Sequence, residues 1–88
     1  MSIDIVSEPN THLFDARGVA RRFRHSAIFG AIGALRSGET MRFINDHDPI
    51  PLIAQLRERL GDNLSVTYRQ RDADAVVIDF GITGLPVE

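Results

Sequence analysis

The alternation of apolar and polar side chains divides the chain into six predicted elements. Apolar residues recur every three or four positions in residues 24–36 and again in residues 49–60, a spacing typical of amphipathic helices. Strict alternation predicts strands instead. The predicted strands are residues 12–16, 40–44, 64–69 and 75–80.

The order of these elements, β-α-β-α-β-β, predicts an α/β (α+β) two-layer sandwich. A helix joins the first two strands, so they should be parallel, and right-handed crossovers place both helices on one face of a four-stranded mixed sheet. The last two strands should form an antiparallel hairpin. We expect one domain over residues 11–82, with residues 1–10 as a tail or weak extra strand and residues 83–88 as a tail.

Turn and capping residues predict where the helices begin and end. Ser37-Gly38 is a stop signal for the first helix, and Asp48 is a candidate N-cap for the second. Gly30 and Gly33 weaken the first helix, which we interpret as a sign of close packing against the sheet.

The composition excludes several kinds of chemistry. The 88 residues include no Cys, and all ten basic residues are Arg, so thiolate, disulfide, Schiff-base and P-loop lysine chemistry are absent. The net charge of −2 gives no basic field for nucleic acid, which is therefore an unfavoured partner. No apolar run is long enough to span a membrane, and the chain does not start like a signal peptide. We therefore expect a cytoplasmic protein.

Polar side chains concentrate at one edge of the predicted sheet. The first two strands are parallel, so the loops that follow them lie at the same edge, where ligands usually bind in open α/β sheets. No nucleophile–base pattern supports catalysis there. The candidate site residues are Arg17, Arg24, His25, Asn45, Asp46, His47 and Asp48.

Three interpretations of this edge remain open. In the first, Arg17 and Arg24 hold a small anionic ligand and His47 adds a polar contact. Arg21 and Arg22, which stand with Arg24 before the predicted helix, are further candidates to hold a phosphate, sulfate or carboxylate. In the second, His25, His47 and Asp46 bind a divalent metal such as Fe, Zn or Ni.

The third interpretation of the edge is structural. Asp48 caps the second helix, Asp46 pairs with Arg17 or Arg24, and His25 is solvated.

The other face of the sheet is mixed polar and can meet water, a protein partner or a second subunit of a homodimer. Arg42, Ser65, Thr67, Arg69, Val77 and Asp79 lie on that face.

Four segments of the chain resemble domain-of-unknown-function family 2249, which is similar to the SirA/TusA-like sulfur-carrier superfamily. The resemblance covers residues 13–82 and implies the same β-α-β-α-β-β sandwich. The sulfur carriers have a Cys-Pro pair where this chain has Arg21 and Arg22, so the resemblance does not imply sulfur transfer. Relatives joined to hemerythrin-like di-iron domains add weight to the metal interpretation. The matching segments are Phe14-Asp15-Ala16-Arg17-Gly18-Val19, Arg24-His25, Ser37-Gly38-Glu39-Thr40 and Asn45-Asp46-His47-Asp48-Pro49.

The sequence thus predicts a small binding or accessory domain of the SirA-like fold without catalysis of its own. Its working surface is the edge described above, and its ligand is a small anion or a protein partner. A metal-binding redox-accessory protein is the alternative.

Overall fold

The computed structural model describes residues 10–83, and the two predicted tails lie almost wholly outside this range. Four strands and two helices follow in the predicted order. They are β1 (Thr11–Asp15), α1 (Arg21–Gly33), β2 (Thr40–Asn45), α2 (Ile50–Leu60), β3 (Leu64–Arg71) and β4 (Val76–Ile82). Within the described residues, no helix is long and apolar enough to cross a membrane.

The strands form one mixed sheet in the order β1-β2-β4-β3. β1 and β2 are parallel, while β4 runs antiparallel to both β2 and β3. One core joins the sheet to both helices, with Phe43 and Phe80 of the sheet fully buried beside Ile28 of α1 and Leu56 of α2. The predicted two-layer sandwich is therefore confirmed.

Helix α1 begins and ends three residues earlier than the apolar pattern predicts. Its buried stripe is Arg24, Ile28 and Ile32, at intervals of four residues, and the pattern overlooks Arg24 because it is charged. The arginine stem can pack like an apolar side chain while its head finds polar partners. The prediction that Ser37-Gly38 ends the helix is wrong, because α1 already ends at Gly33 with Ala34 as its C-cap. Gly38, with a φ of +92°, lies in the turn that enters β2.

Two further predictions about the helices are wrong. Asp48 does not cap α2, because the N-cap position belongs to Pro49 and no side chain bonds there. Gly30 and Gly33 do not mark close packing against the sheet. Both are exposed, and a Cβ atom added to either would meet no atom within 4 Å outside its own stretch of helix.

The sheet face away from the helices carries a buried ion pair. Arg42 and Asp79 are directly opposite each other on β2 and β4, and the guanidinium donates to both carboxylate oxygens at 2.9 and 3.0 Å. Arg42 is only 7% exposed. This part of the face therefore contributes to the structure of the sheet rather than presenting free charges to water.

Candidate functional site

A cleft opens between the start of α1 and the loop that joins β2 to α2, at the predicted edge of the sheet. We call it the edge cleft, and its volume is about 160 Å³. Its polar residues are Arg21, Arg24, His25, Asn45 and His47.

The apolar wall of the edge cleft comes from both helices. Ile28 and Leu52 close its base from the core, and Pro49 and Pro51 border it from the start of α2. The two prolines lack a backbone N–H, so this rim of the cleft offers few backbone donors. Hydrogen bonding to a ligand therefore depends on the polar side chains.

Arg24 lies at the centre of a polar network behind the cleft. Its Nε donates to the carbonyl of Val19 at 2.7 Å, and its Nη1 donates to Asn45 Oδ1 at 3.1 Å. Nη1 and Nη2 also donate to the two carboxylate oxygens of Asp46, at 3.1 and 3.3 Å. The Arg24 guanidinium thus joins α1 to the β2–α2 loop, and its donors are already occupied by protein acceptors.

Asp46 connects this network to His47. Its Oδ1 atom lies 2.7 Å from Nδ1 of the His47 ring. The hydrogen bond from Arg24, followed by the one from His47, lowers the pKa of Asp46 from 3.8 to about 2. Asn45 adds a second restraint, because its Nδ2 donates to the backbone carbonyl of His47 at 3.0 Å. The ring and the backbone of His47 are therefore both held in place.

Asp48 holds the far end of the same loop. Its Oδ1 accepts a 2.6 Å hydrogen bond from the Tyr68 hydroxyl, and its Oδ2 lies 2.6 Å from Arg71 Nη2. Burial, and then the bond to Asp48, raises the pKa of Tyr68. The Arg71 guanidinium also stacks on the Tyr68 ring, with its carbon 4.7 Å from the ring centroid.

A register irregularity in β3 brings Arg71 to this position. Tyr68 pairs with Ile78, but Gln70 pairs with Val77, so one extra residue is accommodated between them. Such an extra residue reverses the alternation of the following side chains. Arg71 therefore lies on the helix side of the sheet beside Tyr68. Simple alternation of β3 does not reveal this, so the sequence pattern misses Arg71.

The structure separates the seven predicted site residues into three groups. His25 and His47 line the cleft, while Arg24 and Asn45 line it with their polar groups already bonded to the protein. Asp46 does not line the cleft but forms a hydrogen bond with the His47 ring. The remaining two, Arg17 and Asp48, do not line the cleft, since Arg17 forms a two-point ion pair with Asp15 and Asp48 bonds to β3.

Arg21 is the arginine left to act in the cleft. It is exposed, lines the cleft and forms no ion pair within residues 10–83. The arginine run at the start of α1 contains the signal for it, but only the observed helix start shows which of these arginines faces the cleft. Arg22, by contrast, stacks on Phe23 and does not line it.

The predicted metal set is not assembled as a three-ligand site. Across residues 10–83, no group of three His, Asp or Glu side chains is placed to hold a metal ion. His25 packs edge-on against Phe29, with ring centroids 6.3 Å apart, and the Asp46 carboxylate is engaged by Arg24. The geometry therefore does not favour the metal interpretation.

Comparison with known proteins identifies a family over most of the chain. The family model described as "Uncharacterized conserved protein (DUF2249)" matches residues 13–81. No curated protein and no solved structure gives a significant match.

Proposed function

The chain belongs to the family of uncharacterized conserved proteins DUF2249, and we propose that it is a binding domain that takes a small anionic ligand in the edge cleft. The observation that carries this proposal is the charge of the cleft. Arg and His side chains make up four of its ten lining residues, and none of the ten is Asp or Glu. Arg21 has no carboxylate partner among the described residues.

The network around Arg24 explains which groups are free to bind. The charge of Arg24 is compensated by its ion pair with Asp46, so Arg24 holds the β2–α2 loop rather than binding the ligand. Arg21 supplies the uncompensated charge, and His25 and His47 supply ring nitrogens. Hydrogen bonds between a charged donor and an anion contribute roughly 1.5–3 kcal/mol each. Arg21 can form one such bond to an anionic oxygen, and the ring nitrogens of His25 and His47 add polar contacts.

The volume of the edge cleft suits a small ligand. Its ~160 Å³ is below the roughly 300–1,000 Å³ of pockets that take drug-sized ligands. It equals about five water molecules at roughly 30 Å³ each. Inorganic oxyanions and short organic acids are of a size that this volume can hold.

The fold supports a wider relationship, which we also propose. The β-α-β-α-β-β order with parallel β1 and β2 is the arrangement that the SirA/TusA-like resemblance implies. In this relationship Arg21 and Arg22 stand where the sulfur carriers have their Cys-Pro pair, at the start of α1. A cation in place of the thiol suits the binding of an anion rather than the transfer of sulfur. A cytoplasmic location and an unidentified protein partner stay predictions from the sequence.

Isothermal titration calorimetry with sodium phosphate and sodium acetate, at constant ionic strength, tests the proposal. We expect one site per chain, and Arg21→Ala should weaken binding roughly tenfold to a hundredfold, the equivalent of one charge-assisted bond. Arg22→Ala is the matched control, because it removes the same charge one residue away without touching the cleft. Equal effects of the two variants, or no binding to the wild type, would show that the edge cleft is not an anion site.

A further inference from the structure

The His47 ring has a fixed arrangement of hydrogen-bond donor and acceptor. An ionised carboxylate can only accept hydrogen bonds, so the 2.7 Å contact with Asp46 Oδ1 requires the hydrogen to be on His47 Nδ1. In a neutral imidazole the other nitrogen then carries no hydrogen. Nε2 of neutral His47 is therefore an acceptor and cannot donate to a ligand.

The surrounding contacts hold this tautomer in place. Asp46 cannot turn away easily, because Arg24 donates to both of its carboxylate oxygens, and Arg24 is itself anchored on the Val19 carbonyl. Arg24 also keeps the Asp46 carboxylate ionised at neutral pH, where it acts as acceptor only. The backbone of His47 is restrained separately by Asn45. No comparable partner fixes the ring of His25 within residues 10–83, so His25 can donate or accept.

Arg21 and His47 require different hydrogen-bonding groups on one ligand. Arg21 has only donors and requires an anionic oxygen, while neutral His47 offers a lone pair and requires a hydrogen. A plain oxyanion satisfies Arg21 but places one lone pair against another at His47. We propose that the edge cleft selects an oxyanion that carries its own hydroxyl hydrogen, which the ligand donates to His47 Nε2 while Arg21 binds its negative oxygen. This inference rests on the proposed function and narrows the class of ligand.

Two kinds of small molecule share this chemistry. Hydrogenphosphate carries one acidic hydroxyl, and a 2-hydroxycarboxylate such as lactate carries an alcohol hydroxyl beside its carboxylate. Each has a partner of nearly the same size and equal charge without the hydroxyl. Sulfate is the partner of hydrogenphosphate at about pH 8, and propionate is the partner of lactate.

Titration of the wild-type protein with these four anions at about pH 8 tests the inference. We expect the hydroxyl-bearing member of at least one pair to bind about tenfold more tightly, which corresponds to one hydrogen bond of roughly 1.4 kcal/mol. The pair that shows the preference distinguishes an inorganic ligand from an organic one. Equal affinities within both pairs would overturn the inference but leave the proposed function standing. If none of the four anions binds, the proposed function fails as well.

A variant and a spectrum separate the tautomer from a general loss of structure. Asp46→Asn lets either ring nitrogen carry the hydrogen, so the preference within the pair should fall to about twofold or less while circular dichroism shows a folded chain. In the wild type, ¹⁵N spectra of the ligand-free protein at about pH 8 should show hydrogen on Nδ1 of His47. Hydrogen on Nε2 would contradict the inference. This spectrum is recorded on the wild-type protein, so the result does not depend on whether a variant folds.

Discussion

Replacing Arg24 with Met removes the guanidinium at the centre of the network and keeps most of the side-chain stem. Arg24 is 9% exposed and packs in the α1 stripe with Ile28 and Ile32, so the methionine preserves much of the apolar contact. The change removes the donors to Val19, Asn45 and Asp46. It therefore isolates the polar role of the arginine from its packing.

The expected loss of unfolding free energy is about 2–4 kcal/mol. The Asn45 side-chain oxygen loses its donor on a residue that is 2% exposed, and leaving such a buried acceptor unsatisfied costs roughly 1–3 kcal/mol. The loss of the short bond to Val19, whose carbonyl can regain water in part, adds about 1 kcal/mol. The ion pair with Asp46 adds little to this loss, because the carboxylate is about half exposed and water screens its charge.

Urea denaturation followed by far-UV circular dichroism measures this loss. Arg22→Met is the control, because Arg22 is exposed on the same helix and its replacement should change stability by no more than about 0.5 kcal/mol. A loss below about 1 kcal/mol for Arg24→Met would refute the reasoning, since the buried acceptor on Asn45 would then have found another donor.

Three further predictions concern acid, alkali and the first helix. Arg24 and His47 depress the pKa of Asp46 to about 2, so its contribution to stability is complete above its ordinary value of 3.8 and is lost as pH falls from there through about 2. Acid denaturation monitored by circular dichroism should therefore show a smaller loss over this range for Asp46→Asn, and an unchanged acid profile contradicts the prediction. Tyr68 is the sole tyrosine, so an alkaline absorbance titration should report a midpoint above pH 10. This midpoint should fall in Asp48→Asn, which removes the carboxylate beside the hydroxyl. A midpoint at or below 10 in the wild type argues against the hydrogen bond between Tyr68 and Asp48. Gly30→Ala should raise the unfolding free energy by roughly 0.5–1 kcal/mol in urea denaturation, because the site is exposed and open, and a loss would mean that this face of the helix is covered.

The sheet and its layers follow from the sequence because β2, β3 and β4 each have one apolar face. Met41 and Phe43 of β2 alternate with Arg42, and this period of two is enough to assign the face that meets the helices. Helix ends are harder to predict, because a buried arginine counts as polar in any hydrophobic pattern. The position of Arg24 in α1 depends on acceptors that lie more than twenty residues away in the chain, and local periodicity contains no such information.

The sequence predicts that polar residues gather at one edge of the sheet, but it does not assign the contacts of each residue. His25 and His47 line the cleft as the parallel strands predict. Arg17 and Arg24, two of the arginines expected to hold the anion, are both paired with carboxylates. Which arginine is paired depends on side-chain geometry in three dimensions. Arg21 lines the cleft and forms no ion pair within residues 10–83, and the helix start is what distinguishes it from Arg22.

The three histidines allow one direct test of the central claim, that the edge cleft binds a small anion. His25 and His47 line the cleft, whereas His12 pairs with Glu39 beside a separate groove formed by β1 and α1. The measurement is the ring resonances of all three histidines by NMR during titration with sodium phosphate at constant pH and ionic strength. We expect saturable shifts at His25 and His47 with His12 unchanged. Equal shifts at all three histidines, or none, would contradict it.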